Sequence, residues 1–288
     1  MQENRSLAIL LFALAGVAIV AMSGAVRQLG SDLPVGQIMF WRSLTAVPVI
    51  LFYMALRGEF PRALRTRRPA AHGLRIVLAV SAMACSFGAL TYISVAMVTA
   101  IGFLAPVLVL PLAALFLNEH LSRLRIAATV LGLAGVGIVL LRAVALPEEG
   151  ILIGTLLALG FAVLMAIVRI VVKDLSRTER PATVATYFAL GGTVAGAATA
   201  AFGWAPLPDG ALWLLPLTGL FGALAHILSV EAIARAPISV LAPIEYSELI
   251  WAALIDLIVF ATVPGPLALL GMAIITGSGI LIWIDRRS

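Results

Sequence analysis

Apolar and polar positions alternate along this chain on a scale of some twenty residues, not at the short periods of an amphipathic helix or strand. Apolar stretches run near 7–26, 35–56, 74–93, 97–117, 124–141, 151–170, 183–203, 212–233, 238–259 and 265–284. A helix rises about 1.5 Å per residue and needs roughly 20 apolar residues to cross about 30 Å of hydrocarbon, so each stretch predicts a membrane span. Between them lie turn and charge clusters such as Gly30-Ser31-Asp32-Leu33-Pro34, Arg57 to Arg68, Pro147-Glu148-Glu149-Gly150 and Pro206-Leu207-Pro208-Asp209-Gly210. The breaks at 94–96 and 234–237 are weak, which leaves eight or nine spans as alternative counts. The first stretch, Leu7 to Val26, is longer than a signal-peptide core and nine spans follow it, so it is expected to stay attached.

Composition agrees with the pattern. Of 288 residues, 62% are apolar and 11% charged, against about 25% charge in soluble domains; the fold class is an all-α integral membrane protein with ten transmembrane helices. The net charge of +5 would suggest nucleic acid if the charges were spread evenly, and they are not. With ten spans and both termini inside, all the basic residues fall in cytoplasmic segments except Arg27, Arg42 and Arg142. Such sorting of Lys and Arg is the orientation signal of a bacterial-type inner membrane protein, multi-pass with both termini cytoplasmic. In this reading Arg75 belongs to a cytoplasmic segment, and the arginines from 57 to 68 are available to anionic lipid head groups. A single cysteine, Cys85, excludes an internal disulfide framework, and His72, His120 and His226 are too scattered for a metalloprotease helix. The chain calls for no metal and no cofactor.

The two halves echo each other. Leu104-Ala105-Pro106 recurs as Leu241-Ala242-Pro243, and at the same offset Glu119 falls on Asp256; Leu131-Gly132-Leu133-Ala134 is matched by Leu270-Gly271-Met272-Ala273. Residues 1–145 and 146–288 therefore read as two five-helix repeats. Five crossings reverse the entry face, so the second copy is inverted, as in many secondary transporters built around a central cavity. Gly192 with Gly196, and Ala128 with Gly132, are small-residue pairs suited to close helix packing.

An Arg early in span two (Phe40-Trp41-Arg42), Ala105-Pro106 and Leu117-Asn118-Glu119 across span four, and a glycine-rich close of each half resemble the drug/metabolite transporter superfamily, and most of all its EamA-type permeases. The second half departs from the first, with Ala189 in place of Arg42 and Asp256 in place of a Glu. The resemblance implies a small-metabolite exporter or exchanger, with amino acids, aromatic and other neutral ones among them, as the leading substrates. Carboxylate, nucleotide-related and vitamin-like metabolites and drugs are the alternatives.

Ionisable groups deep in a bilayer are costly and ask for a reason. Span nine carries Pro243, Glu245, Tyr246, Glu248 and Trp251; Glu245 and Glu248 share a helix face, roughly 10 and 15 Å deep. His226 on span eight lies at the depth of Glu245, so a contact between them is open. The pair is a candidate for a substrate ammonium or for a proton as coupling ion; the alternative is hydrogen bonding that ties helices together. Pro106 and Pro243 each free a backbone carbonyl within a span, at matching positions of the two halves. Ser86, Tyr92, Phe103, Phe161, Met165 and Ser229 complete the expected substrate lining. Arg42, Glu119 and Asp256 read as structural charges, and Glu231 with Arg235 as an i, i+4 pair. With no GxxxxGK[ST] motif, the chain carries no nucleotide site of its own to drive transport. An intramembrane enzyme would need a nucleophile beside His226, Glu245 and Glu248, where only Ser229 offers itself; a channel is the third class. The expected partners are the lipid bilayer and a small-molecule substrate, and the chain is expected to be a monomer or a weak dimer.

Overall fold

A computed structural model describes residues 5–61, 64–109, 123–145, 150–175, 177–233, 235, 241 and 244–285. Its principal helices are α1 (Arg5–Leu29), α2 (Val35–Leu56), α3 (Pro69–Leu90), α4 (Val95–Gly102), α5 (Arg123–Ala145), α6 (Ile151–Leu175), α7 (Pro181–Ala198), α8 (Ala211–Ile233), α9 (Glu248–Phe260) and α10 (Pro266–Asp285). There is no strand among the described residues. Six segments, Ser6–Leu29, Val35–Leu56, Pro69–Leu90, Ile151–Val172, Pro181–Phe202 and Ala211–Ile233, are long and apolar enough to cross a membrane; Val95–Val109, Ile126–Ile138 and Pro266–Leu281 are shorter apolar helices.

One boundary differs from the sequence reading in a way that matters. Helix α3 starts at Pro69, five residues before the expected span, because proline at the first helical position is pre-set for helix entry. Arg75 is thus not in a connecting segment: it sits inside α3, only 6% exposed. Spans four and nine, each expected to carry a proline that frees a backbone carbonyl, are interrupted. Helix α4 breaks at Phe103, three residues before Pro106, and resumes over 104–109; a bend at Tyr246 and Ser247 precedes α9. Pro243, Glu119 and His120 lie outside the described residues.

The packing follows an exchange rule. Helix α1 packs on α8 and α3 on α6, while α2 packs on α7, α4 on α9 and α5 on α10. Exchanging each helix with the one five places on turns α1–α8 into α6–α3 and maps the other three pairs onto themselves. That is the pattern of two inverted repeats. Close approach to α2 is made by glycines. A Cβ on Gly196 of α7 would lie 2.5 Å from the Phe40 nitrogen, and one on Gly219 of α8 would lie 2.7 Å from the Arg42 carbonyl oxygen. Gly132 of α5 likewise meets Ser278 of α10. Apolar side chains from both halves, among them Val20, Ile38, Leu90, Ile101 and Leu215, fill the core between them.

The two ends of the bundle are held differently. On the basic end, the α2–α3 connection clasps the α6–α7 connection: Arg68 pairs with Asp174 at 2.6 Å, and the Thr66 hydroxyl and Arg67 N–H donate to Glu179 at 2.8 and 3.0 Å. Partial burial pushes the Glu179 carboxyl up, but these hydrogen bonds outweigh it and hold the group below the usual carboxylate range. Tyr53 donates to Glu231 at 2.6 Å, and Arg57 and Arg235 both pair with that carboxylate. Of the arginines read as lipid contacts, Arg57 and Arg68 are therefore engaged by carboxylates of the chain itself.

On the opposite end, Asp256 is fully buried. Its carboxylate accepts the Val95 and Ala96 N–H groups at 3.0 and 2.7 Å and forms an ion pair with Arg27. The first N–H groups of a helix have no intrahelical partner and carry the positive end of its dipole, so a carboxylate there satisfies both needs. Ser94 completes the cap by accepting from Met97 N–H, and the Arg27 guanidinium lies 4.2 Å over the Phe260 ring. One knot thus fastens α1 and α4 of the first half to α9 of the second. Beside it, buried Gln37 exchanges two 3.0 Å hydrogen bonds with the Ala205 backbone.

Candidate functional site

Between the halves lies a cavity of about 470 Å³, within the range of about 300–1,000 Å³ usual for small-molecule sites. Its walls come from α1 (Ile19, Ser23), α2 (Arg42, Ile50), α3 (Arg75, Met83, Ser86, Phe87), α4 (Thr99, Phe103), α6 (Phe161, Met165, Arg169), α7 (Phe188), α8 (His226, Ser229) and the bend into α9 (Glu245, Glu248). Among the described residues, α5 and α10 supply none. The lining runs from positions within two turns of the knotted end, such as Ser23, Phe87 and Thr99, past Arg42 toward Ile50, Arg169 and Ser229, near the basic end. The knot of Arg27 and Asp256 closes the other end. Both helix breaks bear on the chamber: the one in α4 exposes Phe103 to it, and Glu245 and Glu248 flank the bend before α9.

The structure brings together Ser86, Phe103, Phe161, Met165, His226, Ser229, Glu245 and Glu248 from the expected lining. Four others lie elsewhere, and Pro243 is outside the described residues. Tyr246, in the bend, turns behind the cavity, edge-on to Phe103 at 5.2 Å and against Gly279. Trp251 is exposed on the bundle's outside: once α9 restarts at Glu248, its period points Ala252 inward instead. Tyr92 is exposed and packs over Gly150 and Gly154 at the start of α6. Pro106 lies beyond the break it accompanies and does not reach the cavity wall.

Three lining cations were not among the expected binding residues. Arg42 read as a structural charge, whereas Arg75 and Arg169 read as loop charges. Proline at the start of α3 was the signal that could have placed Arg75 inside a span; α6, continuing to Leu175, carries Arg169 in the same way. Arg169 forms an ion pair with Glu245 at 3.2 Å. His226 does not face Glu245 as a partner: its charged neighbours are Arg75 and Arg42. It keeps free surface although protein surrounds it, as a cavity side chain does. Glu248 makes no ion pair among the described residues, and its Cγ lies where a Cβ on Gly16 of α1 would approach to 3.0 Å. Arg42 and Arg75 also lack a hydrogen-bonding or ionic partner among the described residues; the Nε of Arg42 and the Nε and Nη1 of Arg75 are buried and unsatisfied. Both guanidiniums lie over the ring of Phe188, at 5.3 and 4.8 Å. No group of three metal-ligating side chains exists among the described residues.

The EamA-like transporter family matches residues 6–141 and again 152–284, once over each five-helix unit. This chain belongs to the EamA-like transporter family. It is a multi-pass membrane transporter of small molecules, not an enzyme. Among EamA-like relatives, it is 28% identical to the riboflavin transporter of Brucella anthropi, over 92% of this chain and 94% of that one. Similarity to the S-adenosylmethionine uptake transporter of Rickettsia felis is 28% over 91% and 87%, and to the riboflavin transporter of Vibrio cholerae 30% over 95% and 92%. A solved crystal structure shares the fold, with a TM-score of 0.66 and 20% identity over 96% of this chain and 97% of that one.

Proposed function

We propose that this protein is a secondary transporter that carries a vitamin-like or nucleotide-related metabolite through the cavity between its halves by alternating access. The observation that carries the reading is the chamber itself: aromatic and charged, enclosed by pseudo-equivalent units, reaching toward one end while a buried ion-pair knot closes the other. Phe87, Phe103, Phe161 and Phe188 offer flat apolar surface for a planar solute. The relatives' names, referring to riboflavin and S-adenosylmethionine uptake, favour such a solute over the amino acids that the family resemblance suggested, and uptake over export. In this reading residues 1–145 and 146–288 rock as two units, and the basic end faces the cytoplasm of a bacterial-type inner membrane, in which the protein acts as a monomer or a weak dimer. Glu248, half-buried on the cavity wall near Glu245 and Arg169, is the proposed proton carrier.

The experiment is counterflow into proteoliposomes with labelled riboflavin, S-adenosylmethionine and a panel of amino acids. The expected result is saturable exchange of an aromatic metabolite well above any amino acid, with Glu248→Gln flattening its dependence on pH. Exchange confined to amino acids would overturn the substrate class, and an unchanged pH profile in Glu248→Gln would leave that carboxyl a structural role.

A further inference from the structure

We infer that Arg42 and Arg75 form an anion subsite, which commits the cavity to an organic solute bearing a carboxylate or phosphate beside a planar ring; the inference rests on the transporter reading and narrows its substrate. Two guanidiniums from different helices stand at one wall of a chamber in the membrane interior. Neither has a carboxylate among the described residues, and three of their nitrogens are buried with no acceptor. The other charged pole of the cavity does not serve them. Glu245 is taken by Arg169, and the charged neighbours of Glu248 are Glu245 and Arg169. Unpaired charge at membrane depth is retained where function demands it. A guanidinium presents a planar fork of donors that matches carboxylate and phosphate oxygens two at a time.

The surroundings keep the two forks in place and apart from rival partners. Phe188 lies under both guanidiniums, so its ring face partly offsets their mutual repulsion while leaving their edges free. Gly222 of α8 makes room for Arg42: a Cβ there would sit 2.9 Å from Nη2 and 3.0 Å from Nε. His226, neighbour to both arginines, lines the same cavity. An anionic group seated there leaves the rest of its solute among Phe87, Phe103 and Phe161.

Binding of a matched series to the purified full chain in detergent tests this: 2-naphthoate, 2-naphthyl phosphate, 2-naphthamide and 2-naphthylmethylammonium, read by thermal shift and titration calorimetry. The expected result is that an anion binds at least tenfold tighter than the amide. Arg42→Gln and Arg75→Gln should each remove most of that preference while leaving amide binding within about twofold. Whether carboxylate or phosphate binds tighter identifies the group. Should a glutamine variant fail to fold, Arg75→Lys, which keeps charge without the fork, is expected to weaken the anion several-fold. Equal binding of anion and amide, best binding by the ammonium, no binding of any member, or folded variants that keep the anion preference would each overturn the subsite. The assay needs no transport. Anion binding without counterflow of any solute would sink the transport reading alone, and counterflow without anion preference would sink the subsite alone.

Discussion

Replacing Asp256 with alanine should lower stability by about 3 kcal/mol, the low end of the 3–5 kcal/mol expected when one partner of a buried ion pair is removed. The low end applies because the Arg27 side chain keeps 18% exposure while that of Asp256 has none. The loss has two sources. The Arg27 guanidinium would be left without its counter-charge, and the Val95 and Ala96 N–H groups would lose their acceptors in an apolar interior, where water offers no substitute. Asp256→Asn keeps an acceptor for one N–H and should cost less. Thermal unfolding followed by size-exclusion in detergent gives the ranking: wild type above Asp256→Asn, above Asp256→Ala. An alanine variant as stable as wild type would show that the knot does not hold the closed end.

Gly196→Leu should be comparably severe, costing about 3 kcal/mol, the upper end for overpacking a filled interior. The reason lies in which atoms a side chain would meet. At Gly196 they are the Phe40 nitrogen and Cα, at 2.5 and 2.6 Å, and a backbone cannot rotate aside as a side-chain tip can. Helix α7 would have to leave α2, taking Phe188 away from the cavity. Gly73→Ala is the matched control: a Cβ there meets nothing within 4 Å, and the helix gains from losing a glycine. Yield and unfolding midpoint should fall sharply for the first variant and stay level or rise for the second. Equal behaviour of the two would contradict the close α2–α7 crossing.

Much of the fold was legible because the bilayer makes span length and apolar character nearly sufficient for placing helices. The α2 range of 35–56 read from the sequence coincides with the structure, and α6, α8 and α10 begin within a residue of their expected starts. The inverted repeat was legible from Leu-Ala-Pro and Leu-Gly echoes together with the odd number of crossings. The site was legible only in part. Polar residues deep in a span, such as Ser86, His226 and Glu248, stand out against an apolar background, so the cavity-facing ones were found from type and depth. Aromatic residues carry no such contrast: Phe161 lines the cavity, while Trp251 and Tyr92 have the same chemistry and face outward. Arg75 and Arg169 were hidden because charge within a few residues of a span's end reads as loop. The Arg27–Asp256 knot joins residues 229 apart in sequence, and no local pattern announces a pairing of that range.

Alternating access requires the chamber between the halves to open in turn to the two faces, and a crosslink across the closed end should lock it. Gly24 of α1 and Ile255 of α9 belong to different halves, and a Cβ on Gly24 would lie 3.0 Å from the Ile255 Cγ2. With Cys85→Ser as background, Gly24→Cys with Ile255→Cys should form a disulfide under mild oxidation. Counterflow of the transported metabolite should then stop on oxidation and return on reduction. Counterflow that continues undiminished after complete crosslinking would show that this end need not part for the solute to pass, and would contradict the account.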